Sequence, residues 1–121
     1  MSPLEELIDA PAVTAQQILD AAETGLDVFA AAAVVFARFE QATESLKKAL
    51  DVSQALLARP PLPDYDTEGR RTRTAEIDFA LQRAEQAQAA TWAALERYAP
   101  WRESLDLLEA GLKVATIIES N

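Results

Sequence analysis

The nearest the sequence comes to a catalytic constellation is a set of two Asp-x-x-Glu pairs, Asp20-Ala-Ala-Glu23 and Asp106-Leu-Leu-Glu109. Carboxylates three residues apart share one face of a helix. Two such pairs on facing helices can hold a magnesium ion through oxygen ligands. Little else in the chain can do chemistry. It contains no histidine and no cysteine, so it lacks the commonest general base, the commonest metal ligand, thiolate zinc sites and disulfides. A Ser-His-Asp or Cys-His mechanism is excluded within this chain. Ser2, Ser45, Ser53, Ser104 and Ser120 have no basic residue patterned beside them, so none reads as a nucleophile.

The paired carboxylates resemble the acidic motifs of all-α nucleotide pyrophosphohydrolases, which implies magnesium-dependent hydrolysis of a nucleotide. Those enzymes carry closely spaced Glu-rich motifs on consecutive helices. Here the pairs stand 86 residues apart in a chain with 20 acidic residues, where chance produces such pairs. The hydrolase is therefore the alternative reading, and the leading expectation is no catalysis, no metal and no cofactor.

Binding residues are easier to nominate. Arg59, Arg70, Arg71 and Arg73 are 4 of the 11 basic residues and bracket a Pro-rich stretch that contains Tyr65. They read either as an anion or acidic-partner site at a helix N-terminus or as charge balance for Asp64, Asp66 and Glu68. Trp92 lies off the apolar seam of its helix, on a face with Glu85, Ala89 and Glu96. An exposed tryptophan there is a candidate anchor, because tryptophan is enriched at binding hot spots. The candidate partner-binding set is thus Arg59, Tyr65, Arg70, Arg71, Arg73 and Trp92.

The elements that position these residues are helical. Half of the residues are hydrophobic, alanine is abundant and only 3 are glycine, a composition that favours helix at low entropic cost. Ser2-Pro3-Leu4-Glu5 opens a short helix over about 3–9, stopped by Pro11. Thr14-Ala15-Gln16-Gln17 is a second capping-box start. From it one long helix is expected over about 15–58, with Gly25 a soft spot or a break. Its seam runs Leu19, Ala22, Leu26, Phe29, Ala33, Phe36, then Phe39, Ala42, Leu46, Ala49, Ser53 and Leu56.

Residues 60–71 read as a loop, and Thr72 or Thr74 is the expected cap of the next helix. That helix is placed at about 72–98, with a seam of Ile77, Leu81, Ala84, Gln88, Thr91, Leu95 and Tyr98 and a neighbouring stripe of Ala80, Ala87 and Ala94. Pro100 is expected to end it. A last helix over about 101–119 carries Leu105, Leu108, Leu112, Ala115 and Ile118. Phe29, Phe36, Phe39, Tyr98 and Trp101 are expected in the core. The fold class is all-α in a single helical domain, 1–121: an antiparallel hairpin if the long helix is continuous, a compact bundle if it breaks at Gly25.

Small residues such as Ala30 to Ala33, Ala80, Ala84 and Ala87 let helices approach closely. Two helices alone bury only one face each, so a homodimer is one way to complete the cover. A formal charge of -9 repels nucleic-acid phosphates and anionic membranes and favours a basic protein partner. The acidic N-terminus shows no basic leader and the longest apolar run, 28–37, is half a membrane span, so the expected compartment is the cytoplasm. Length, acidity and hairpin pattern are similar to small secreted helical hairpins that act as dimers; the Trp-x-Gly turn of that group is absent here, and none of its properties is carried over. The leading expectation is a non-enzymatic protein-interaction module: an adaptor, an immunity- or antitoxin-like partner, or an assembly component.

Overall fold

A computed structural model describes the backbone of residues 2–120 and the side chains of residues 2–111. Among the described residues there are four helices and no strand: α1 (Pro3–Asp9), α2 (Ala15–Glu23), α3 (Val28–Leu57) and α4 (Thr67–Ser120). The two N-terminal starts are built as their sequences dictate. Ser2 accepts from the Glu5 amide with Pro3 in the first turn. Thr14 and Gln17 exchange reciprocal side-chain-to-backbone bonds, a full capping box.

The long helix expected over 15–58 is two helices. Gly25 takes a positive φ of 92°, and its amide bonds to the Ala22 carbonyl while the Leu26 amide reaches back to Ala21. This is a Schellman motif, which satisfies the orphan carbonyls of a finished helix. Asp27 then accepts from the Ala30 amide at 3.1 Å and starts α3. The break resets the helical phase, which is why the expected seam through Leu26, Phe29 and Ala33 fails. Phe29 and Ala33 are exposed, and α3 buries Val28, Ala31, Ala32 and Val35 instead.

Two further expectations are corrected. The loop ends at residue 66, not 71, because the Asp66 carboxylate accepts from the Gly69 amide and caps α4. Thr72 and Thr74 sit inside the helix, their hydroxyls donating to the carbonyls of Glu68 and Arg70. Pro100 does not end the helix: α4 continues through it. Contacts on both sides of the proline hold the segment down. Before it, Tyr98 stacks on Phe39 with ring centroids 4.7 Å apart and meets Phe36 at 5.0 Å. After it, Trp101 is 1% exposed in a buried cluster with Val35 and Leu105. Tertiary packing overrides the missing amide.

The fold has two compact units. Residues 1–39 and 93–121 form the first. Here α1, α2, the first turns of α3 and the C-terminal half of α4 surround Ile8, Ile18, Val28, Ala31, Ala32, Val35, Trp101 and Leu105. Arg38 pairs with Asp9 at 3.0 Å and ties α3 to α1. Leu105 is buried and Leu108 half-buried as expected; Leu112, Ala115 and Ile118 lie outside the described side chains.

Residues 40–92 form the second unit, an antiparallel hairpin of α3 and α4. Its register is set by Arg59 against Glu76 at one end and Thr91 against Ala42 at the other. Its buried residues are small: Ser53, Ala80 and Ala84. The α3 seam from Ala42 to Leu56 faces inward as expected, but on α4 the inward stripe is Ile77, Ala80, Ala84, Ala87 and Thr91, and Leu81 and Gln88 face out.

Candidate functional site

Close helix approach through alanine has a consequence for the larger side chains of the hairpin. Leu46, Leu56 and Ile77 stay half-buried at the contact, whereas Val52 and Phe79 stand beside it, each more than half exposed. On one side of the hairpin they line a groove of about 500 Å³. Ala49, Val52 and Leu56 of α3 form one wall, and Phe79 and Ala80 of α4 form the other. Val52 is 54% exposed and Phe79 61% exposed, so the groove is an open apolar trough. Lys48, Glu76 and Arg83 supply its polar rim. The Arg83 guanidinium lies 5.5 Å over the Phe79 ring, a cation–π contact that holds the ring in place.

The loop arginines have structural partners. Arg59 donates to the Leu56 carbonyl and, at 3.1 Å, to the Glu76 carboxylate. Its Nη2 is buried and finds no acceptor among the described residues. Arg70 faces Asp64 at 3.6 Å, and Arg73 donates to the Pro60 carbonyl. Three of the four arginines thus fasten the loop to α4. The helix N-terminus that was to bind an anion is already capped by the Asp66 carboxylate. Arg71 is exposed, and Tyr65 at the loop tip is 88% exposed.

Trp92 is 60% exposed, as a binding anchor requires. The structure does not bring it to the other candidates. It stands 19 residues beyond Arg73, about 28 Å along α4. It is also 13 residues beyond Phe79, which turns it roughly 140° around the helix from the groove. The groove residues Val52, Leu56 and Phe79 escaped the sequence reading. Phe79 carried the same signal as Trp92, a large aromatic off the apolar seam, and the same criterion finds it.

The acidic pairs do not converge. Asp20 accepts from Gln16 at 2.9 Å, and Asp106 is held by Arg102 at 2.6 Å. The hydrogen bonding of Arg102 to Asp106, and then the charge of that carboxylate, raise the Arg102 guanidinium above its ordinary value. Among the described residues no three carboxylates are placed to share a metal ion. Beside Arg102, a more open depression is lined by Leu95, Tyr98 and Leu107.

Charge divides unevenly between the units. Residues 40–92 hold 7 of the 11 basic residues and 9 of the 20 acidic ones, a net charge of -2. The other unit carries -7 of the total -9. No helix among the described residues is long and apolar enough to cross a membrane. No family model, curated protein or solved structure matches the chain.

Proposed function

We propose that the protein is a non-enzymatic interaction module, working by helix-on-helix packing at the hairpin of residues 40–92. One observation carries this reading: the fully buried residues of the hairpin, Ser53, Ala80 and Ala84, are all small, and Val52 and Phe79 are left more than half exposed beside them. Two helices in water gain most of their stability from covering an amphipathic face. A trough with an arginine-braced aromatic in its wall has the composition of an interface centre, where aromatics and arginine concentrate. The strongly acidic unit, residues 1–39 and 93–121, adds a long-range field that speeds the approach of a basic surface. The lack of histidine and cysteine and the scattered carboxylates fit a role without chemistry.

The test is site-specific photocrosslinking in the producing cell. A photoreactive side chain at Phe79 is expected to give one discrete crosslinked species, with another copy of the chain or with a different protein. The same group at exposed Gln16 is expected to give none. Equal, diffuse labelling at both positions would remove the hairpin as a contact surface and the proposal with it.

A further inference from the structure

We infer that the loop of residues 59–66 is a docking element in its own right: a pre-formed polyproline II ligand for a protein domain with an aromatic-lined groove. It goes beyond the trough and does not depend on it. Backbone, exposure and rigidity each point to it.

The backbone follows from the sequence. Residues 59–65 read Arg-Pro-Pro-Leu-Pro-Asp-Tyr. Proline fixes its own φ at about -65°, and the residue before a proline is pushed to extended or polyproline II geometry. Arg59, Pro60 and Leu62 each precede a proline, and Pro60, Pro61 and Pro63 are prolines themselves. Every residue from 59 to 63 thus meets one constraint or both, and all favour the same conformation. The structure has neither helix nor strand at 60–63. Polyproline II repeats about every 3 residues, so Pro60 and Pro63 lie on one edge of the segment. That is the spacing which aromatic-lined grooves read.

The rings and acceptors are open to a partner. Pro60, Pro61 and Pro63 are exposed, and Leu62 is half-buried. Among the described residues the carbonyls of Pro61 and Leu62 accept no hydrogen bond. The Asp66 amide donates to the Pro63 carbonyl at 3.0 Å, which closes a turn with Asp64 and Tyr65 at its tip. Tyr65 is 88% exposed, well above Phe79 or Trp92. Its ring takes no part in the aromatic and cation–π contacts of the described residues.

The segment is also held still. A flexible ligand loses conformational freedom on binding, and rigidity in the bound shape removes that cost. Here Arg59 bonds to the Leu56 carbonyl and the Glu76 carboxylate, and Arg73 donates to the Pro60 carbonyl. Arg70 faces Asp64, and Asp66 caps α4. The arginines therefore need not touch a partner. They present the prolines and Tyr65 to one.

The test titrates the chain into isotope-labelled SH3, WW and EVH1 domains, the classes that read such segments, and follows their amide shifts. At least one is expected to bind, with its largest shifts at the aromatic residues of its groove. Tyr65→Ala is expected to weaken that binding about 10-fold, and Pro60→Ala combined with Pro63→Ala at least as much. If the double proline variant loses helical circular dichroism, Tyr65→Ala decides, because its ring is outside the packing. No shift in any of the three classes at chain concentrations up to about 1 mM overturns the inference. So does binding that Tyr65→Ala leaves unchanged, or binding by a free peptide of residues 57–67 that the folded chain lacks. The Phe79 photocrosslink is read separately. Its loss with loop binding intact removes the trough as a contact surface and leaves the loop, and the reverse result removes the loop alone.

Discussion

The Thr91 hydroxyl of α4 reaches across to the backbone carbonyl of Ala42 on α3, at 3.1 Å, while also bonding Ala87 in its own helix. A side chain as short as threonine spans two helices only when their backbones are close, and Ala42, Ala84 and Ala87 allow that approach. Enlarging one of them should force the helices apart. Ala84→Leu is expected to destabilise the fold by about 1–3 kcal/mol through overpacking. Thermal unfolding followed by circular dichroism measures it, and an unchanged Tm means the helices separate at that seam without cost.

The three glycines should respond to alanine in different ways. At Gly25 there is room for a Cβ but φ is 92°, so Gly25→Ala strains the backbone and is expected to cost more than ~1 kcal/mol. Gly111 lies inside α4 with nothing near its Cβ position, so Gly111→Ala is expected to stabilise by up to about 1 kcal/mol. Gly69 is intermediate, because an added Cβ meets the Asp66 cap within 3 Å. There the gain in helix propensity and the loss of the cap nearly cancel. Denaturant titration of the three variants should give that order.

Pro100 removes an amide from the middle of α4 and persists because Tyr98 and Trp101 anchor the helix on either side. Pro100→Ala restores the hydrogen bond without touching either anchor. It is expected to raise stability by on the order of 1–3 kcal/mol. Should Tm fall instead, the proline sets a bend that seats Trp101.

The same residues show what could be read without coordinates. Ser2-Pro3 and Thr14 to Gln17 carry complete local signals, and both helices begin where those signals place them. Gly25 taken alone is a weaker signal. Leu26 and Asp27 after it complete a stop-and-start unit, and its geometry depends on backbone bonds between neighbours. Pro100 misled for the opposite reason. Its local meaning was clear, but the decision rests with contacts to Phe36 and Phe39, some 60 residues away. The groove was hidden for a similar reason. Whether Phe79 faces in or out follows from which α4 stripe meets α3, and the alanine stripe displaced the leucine seam that the pattern favoured.

Arg59 offers a test of whether the loop arginines bind or brace. It bonds to Leu56 and Glu76 but leaves one buried nitrogen without an acceptor. A partly exposed ion pair contributes less than about 1 kcal/mol and the bond to Leu56 about 1 kcal/mol, against about 1–3 kcal/mol for the unsatisfied buried donor. Arg59→Met keeps the apolar stem and is expected to change stability by less than ~0.5 kcal/mol. If the change instead exceeds ~2 kcal/mol, the Glu76 pair is stronger than an exposed one can be.

The two tryptophans separate folding from recognition. Trp101 is 1% exposed in the cluster with Ile18 and Val28, and Trp92 is 60% exposed on α4. Truncating a buried tryptophan leaves a large cavity, so Trp101→Ala is expected to cost about 3–5 kcal/mol. Trp92→Ala removes contacts mainly with solvent and should stay within ~0.5 kcal/mol. Fluorescence provides an independent reading. In Trp92→Phe the remaining tryptophan should emit in the blue and resist acrylamide, whereas in Trp101→Phe the remaining one should emit further red and quench freely. Association through the groove should leave the Trp92 signal nearly unchanged, because that ring lies on another side of α4 from Phe79. A concentration-dependent blue shift at Trp92 would show instead that a second face of the hairpin is covered, and would move the contact surface around the helix.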